Sequence, residues 1–189
     1  MMKTNAINLY EYGGPEVLRY EAVDIGEPGE GEALVRHTAI GLNFIDTYHR
    51  TGLYPMDFPA GLGTEAAGVV EAVGPGVTDV AVGDRVAWTG VPPGAYAGHR
   101  VYPAWQLVPV PDGIPDEDAA AALLKGLTAW YLLYRSYPVS AGDPVLLYAA
   151  AGGVGSIASQ WAKHLGAQVI GIVSTNEKAE VARAQGCDH

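Results

Sequence analysis

Four small residues stand at the close spacing that a phosphate cradle needs: Ala150, Gly152, Gly153 and Gly155, within "YAAAGGVGSIASQWAKHLGAQVIG" at 148–171. A dinucleotide pyrophosphate rests on backbone N–H groups at a helix N-terminus, and the turn before that helix must keep side chains out of the way. Gly152 and Gly155 hold the last two glycine positions of the G-x-G-x-x-G spacing, with Ala150 in the first. Gly153 adds conformational freedom and Val154 opens the helix, so these five residues are the candidate cofactor-binding turn. The same residues would serve a plain strand-to-helix turn, and the neighbouring elements favour binding. A strand pattern precedes the turn, an amphipathic helix follows it, and a second strand comes at the separation of a βαβ unit.

The end of that second strand discriminates between cofactors. An Asp or Glu there would bind the adenosine ribose 2′-hydroxyl and select NAD, whereas "GIVSTNEK" offers Ser174, Thr175, Asn176 and then Lys178. A cation in the first turn of a helix opposes the macrodipole, a cost that a 2′-phosphate nearby would offset. Ser174 and Lys178 therefore point to NADPH. The alternative is a capping box of Ser174 with Glu177, leaving Lys178 merely solvated.

The elements that must position these groups follow from periodicity. The first hundred residues alternate in short apolar runs, among them "EALVRHTAIG", "EAAGVVEAVG" and "DRVAWTG", each bounded by Gly, Pro or Asp. That pattern predicts a small, twisted, mostly antiparallel β-barrel. One segment, "NFIDTYHRTG" from Asn43, reads as a short helix stopped at Gly52. The period then changes: "DEDAAAALLKGLTAWYLLYRS" predicts a helix from about Asp116 to Tyr134, with acidic residues in its first turn. A buried strand is expected at "DPVLLYAA" and a helix on Val154, Ile157, Ala158, Trp161, Ala162 and Leu165, capped at Gly166. A second strand is expected at "AQVIGIV" and a last helix at "NEKAEVARAQ", stopped by Gly186. This order is the beginning of a parallel α/β fold.

Composition narrows the partners. A net charge of −10 over 189 residues leaves no basic stripe for phosphates, which argues against nucleic acid and anionic membranes as partners. No apolar run is long enough for a signal peptide or a membrane span, so the expected setting is cytoplasmic. The single cysteine, Cys187, excludes an internal disulfide and a thiolate-rich zinc site. None of the five histidines falls in an H-E-x-x-H spacing or an evident triad.

Taken together, "GGPEVL" at 13–18, "IGLNFIDTYHRTGLYP" at 40–55, "GLGTEAAGVVEAVGPGV" at 61–77, "GDRVAW" at 83–88, "LLKGLTAWYLL" at 123–133 and the glycine segment resemble the medium-chain dehydrogenase/reductases. Within them the resemblance is to the zeta-crystallin-like NADPH:quinone oxidoreductases. It implies a GroES-like catalytic domain over 1–124, containing the β-barrel, and the first part of a Rossmann NADP-binding domain over 125–189. It further implies hydride transfer from NADPH to a small-molecule quinone, and a homodimer whose interface lies largely outside this chain. Asn43 stands where the zinc-dependent members have a Cys, and Thr64 where they have a His, so no metal is expected. Asn43 and Tyr48 resemble the polar pair facing nicotinamide and quinone and are the candidate catalytic residues, Asn43 also contacting cofactor. The bland alternative has Asn43 capping its helix and Tyr48 packing in the barrel. Lys125 and Thr128 resemble residues near the nicotinamide and its ribose, and Glu65 a retained family glutamate that is not a catalytic base.

Two strands and two helices are half of a Rossmann domain, so the expectation is a truncated chain. Enal or enone reduction on the same scaffold is the alternative activity, and a non-catalytic binding module the alternative from another class.

Overall fold

The alternating runs of the first hundred residues become short strands: β1 (Met2–Leu9), β2 (Arg19–Ile25), β3 (Glu32–Gly41), β4 (Ala60–Gly61), β5 (Glu65–Val73), β6 (Arg85–Thr89), β7 (His99–Pro103) and β8 (Val108–Pro109). The structure, a computed structural model, describes residues 2–189. These strands belong to a first compact unit that ends at Leu123; a second spans Leu124–His189. Every pairing in the first unit is antiparallel, in a five-stranded sheet of order β7-β3-β5-β6-β8 and a three-stranded sheet of order β2-β1-β4. The expected barrel is thus two sheets, bridged at Ala6 and Ala97, and not a closed ring. β3 and β5 carry register shifts at Leu34/Val35 and His37/Ala39, which bend the pair and increase its twist.

The inward faces of these strands bury Val35, Val70, Val86, Trp88 and Tyr102, each at most 1 % exposed. Trp88 stacks on Tyr102 at 4.2 Å. The Arg100 guanidinium lies over both rings, 5.2 Å from Trp88 and 5.4 Å from Tyr102, and donates to the carbonyls of Pro93 (2.8 Å) and Pro92 (2.6 Å). Trp88 Nε1–H donates to His37 Nε2 at 3.1 Å, and His37 Nδ1 lies 2.8 Å from the Ala97 carbonyl. A helix, α1 (Phe44–Thr51), follows β3 and stops at Gly52, whose φ of +82° suits a residue without Cβ.

The unit boundary falls within α2 (Asp116–Trp130). The expected helix to Tyr134 is corrected here: α-geometry ends at Trp130, and Tyr131–Ser136 wind into a wider π-helical turn. Leu133 must reach the core, where it is 3 % exposed, while the chain must leave the helix before Pro138, with Tyr137 extended. Over so short a stretch, apolar spacing does not distinguish 3.6 residues per turn from a wider coil.

The second unit then runs β9 (Pro144–Tyr148), α3 (Gly153–His164), β10 (Gln168–Ile172) and α4 (Asn176–Ala184). β9 and β10 pair in parallel from Pro144↔Gln168 to Tyr148↔Ile172. Ala150, Ala162, Val169, Ala182 and Cys187 form their core with Leu133. Gly166, at φ +86°, sits just past α3 where a left-handed cap was expected. Among the described residues no helix is long and apolar enough to cross a membrane.

Candidate active site

Asn43 is extended (φ −129°, ψ 148°) and Asp46 stands three residues into the helix it precedes. Asp46 Oδ2 accepts the Asn43 backbone N–H at 2.9 Å, closing the first turn of α1 from the carboxylate side. The same oxygen accepts the Tyr96 hydroxyl at 2.7 Å, and Oδ1 accepts the Thr64 hydroxyl at 3.2 Å. Asp46 and Thr64 are both 3 % exposed, so the carboxylate is buried and held by three donors. Burial, and then the bond to Asp46, push the Tyr96 hydroxyl above its ordinary pKa. Next to Thr64 the fully buried Glu65 begins β5, and its Oε2 accepts Asn43 Nδ2–H at 2.8 Å.

Tyr48, on the same helix, stays outside this cluster. Its ring meets Phe44 and Tyr54 edge-on at 5.3 and 5.6 Å, in a patch where Phe44 is 74 % and Leu42 79 % exposed. Tyr48 therefore packs on an aromatic surface and not in the core between the strands. His49, the next residue of α1, has its ring 5.8 Å from that of Tyr54; it is buried with no partner for Nδ1, and burial holds its pKa below the usual value.

In the second unit α3 begins at Gly153, with Gly152 as its N-cap and no side chain capping the end. The first-turn N–H groups, at Gly153, Val154 and Gly155, have no carbonyl one turn back within the helix. Ala150 is fully buried beneath the turn. A Cβ on Gly155 would run into the carbonyl of Ala149 and come within 2.8 Å of Ala150 Cα, so only glycine lets α3 approach β9 this closely. The Lys125 stem crosses Gly153, where a Cβ would lie 3.0 Å from its Cδ. Thr128, in contrast, turns its hydroxyl back onto the Leu124 carbonyl at 2.7 Å. At the end of β10, Lys178 Nζ donates to Ser174 Oγ at 3.2 Å. The capping box drawn for Ser174 is corrected: Thr175 is the N-cap of α4, its hydroxyl accepting the Lys178 N–H at 3.3 Å, which leaves Ser174 one residue outside the helix.

Two groups of residues thus emerge, one in each unit: Asn43 with Asp46, Thr64, Glu65 and Tyr96, and the glycine turn with Lys125, Ser174 and Lys178. Tyr96 has no signal in the sequence, because its partner Asp46 is 50 residues away. Asn43 and Thr64 offer an amide and a hydroxyl, each bonded to a carboxylate. Among the described residues no three His, Cys, Asp or Glu side chains group so as to hold a metal ion.

Comparison with known proteins gives these groups a family. Residues 29–112 match the alcohol dehydrogenase GroES-like domain. A quinone oxidoreductase of Pseudomonas aeruginosa is 56 % identical over 181 residues, covering 95 % of this chain and 56 % of that protein. A 2-haloacrylate reductase of a Burkholderia species is 51 % identical over 187 residues, covering 96 % of this chain and 56 % of the relative. The crystal structure of the Escherichia coli quinone oxidoreductase complexed with NADPH superposes with a TM-score of 0.95 at 47 % identity, over 97 % of this chain and 56 % of that one. The chain thus spans little more than half the length of these relatives. Its fold is a GroES-like domain followed by the start of a Rossmann-like domain. The chain is homologous to the quinone oxidoreductases and belongs with them to the medium-chain dehydrogenase/reductase family.

Proposed function

We propose that this chain carries the cofactor-reading and acceptor-facing residues of an NADPH-dependent, zinc-independent quinone oxidoreductase. The observation that carries the reading is the Ser174–Lys178 pair at the end of β10, in a segment without the acid that would select NAD. The uncapped start of α3 supports it, because its first-turn N–H groups are not taken by a capping side chain. Val154 supplies a further first-turn N–H, and Ala150 floors the turn. Lys125, laid across Gly153, brings a cation to the same turn. Thr128 contributes through its place in α2, its hydroxyl being spent on the helix backbone.

Bound NADPH supplies the hydride. Asn43 positions the nicotinamide and the acceptor, and the Tyr48 hydroxyl donates a hydrogen bond to the acceptor oxygen as charge develops there. A quinone spreads that charge over a conjugated ring, so positioning and hydrogen bonds serve without a Lewis acid. A second reading, reduction of an activated alkene, is favoured by the 51 % identity to a 2-haloacrylate reductase. The cytoplasmic setting and the homodimer belong to this reading as well.

The test is calorimetry of the chain with NADPH and with NADH at fixed salt. Saturable binding that favours NADPH is expected, and Lys178→Ala should weaken NADPH about tenfold while leaving NADH unchanged, the loss of one charge-assisted contact. Equal affinity for both nucleotides, or none for either, refutes the assignment. Turnover of the full-length protein with a quinone and with 2-chloroacrylate as acceptors separates the two activities.

A further inference from the structure

Glu65 is fully buried, and an ionised carboxylate tolerates such a place only with donors around it. One donor is the Asn43 amide, whose Nδ2 lies 2.8 Å from Oε2. An ionised carboxylate accepts hydrogen bonds and gives none, so it fixes the sense of the amide. The flipped amide would set two acceptors against each other. The packing leaves Glu65 little freedom: a Cβ on Gly41 would collide with Oε2 and with the Ala120 carbonyl. Asn43 is also held by its main chain, through Asp46 Oδ2, and is itself 8 % exposed.

We propose that Glu65 is a positioning residue that acts through Asn43, holding its amide in one orientation toward the reacting groups. The inference rests on the role proposed above for Asn43. It assigns Glu65 no proton transfer and no contact with substrate; its effect on turnover passes wholly through the amide.

A double-mutant cycle in the full-length protein tests this. Glu65→Gln keeps the shape of the side chain but both donates and accepts, so it no longer dictates the amide's sense. With Asn43 present, Glu65→Gln should lower kcat/KM about tenfold, chiefly in kcat. In an Asn43→Ala background it should cost nothing further. An equal loss in both backgrounds, or no loss in either, overturns the inference while leaving the role of Asn43 standing. Full turnover of Asn43→Ala alone overturns the role of Asn43 and the inference with it. A second readout needs no turnover: the Asn43 side-chain amide, assigned in ¹⁵N spectra of the present chain by its absence in Asn43→Ala. It should be one solvent-protected pair that becomes unprotected or doubled in Glu65→Gln; an unprotected amide in the parent chain overturns the inference. Should Glu65→Gln fail to fold, Glu65→Asp, which shortens the reach by one methylene, takes its place in the cycle.

Discussion

Acid should loosen the first unit through His37. Its Nδ1–H donates to the Ala97 carbonyl and its Nε2 accepts from Trp88, which is the bonding of a neutral imidazole. Burial, reinforced by the Arg100 charge, pushes its pKa down to about 4. An unfolded chain takes up the proton near 6.5, so between these values the unfolded state holds one proton more. Stability from this group is therefore complete above about pH 6.5 and declines as the pH falls toward about 4. At about 1.4 kcal/mol per unit, the loss between pH 7 and pH 4 comes to about 3 kcal/mol. Urea unfolding at the two pH values measures it, against a His37→Gln control whose amide makes the same two bonds without titrating. The difference in pH dependence between the two proteins removes the carboxylates from the comparison. A His37 titration midpoint near 6.5 by NMR, or equal pH dependence in parent and control, would refute the reasoning.

Gly155→Ala should destabilise the second unit by about 2 kcal/mol, since the added carbon meets backbone that cannot swing aside; thermal unfolding reports it. Asp46→Ala strands three donors, on Asn43, Thr64 and Tyr96, and should cost the first unit about 3 kcal/mol in urea unfolding. In that variant the Tyr96 hydroxyl should also titrate closer to its ordinary range, read by ultraviolet absorbance.

What the sequence disclosed was mostly local. The extent of α1, the glycine turn, and the alternation of strand and helix after Asp143 each rest on neighbours within a few residues, where period and capping chemistry act. Asn43 was marked by family resemblance, yet its partner Glu65 lies 22 residues on and its tie to Tyr96 runs through Asp46. Such pairings are set by strand register, which no local pattern carries. The π-helical turn at Tyr131–Ser136 was hidden because its cause, the demand to bury Leu133 before Pro138, belongs to tertiary packing. Thr175 took the cap of α4 from Ser174 by a shift of one residue, a distinction finer than capping preferences resolve.

Arg100 donates to the carbonyls of Pro92 and Pro93 and spreads its plane over Trp88 and Tyr102. Its guanidinium fills the space where any side chain at Gly94 would begin, and Gly94 itself has a φ of +143° that disfavours a Cβ. The two positions are thus bound in descent: while the arginine stays, the glycine is not free to drift. A lineage that replaces the arginine, for example with a compact lysine that cannot span both carbonyls and both rings, removes the steric bar and leaves only the backbone's own preference. Substitutions at 94 and 100 should accordingly appear in an order, the arginine changing first, a contingency written by six residues of chain folding back on themselves.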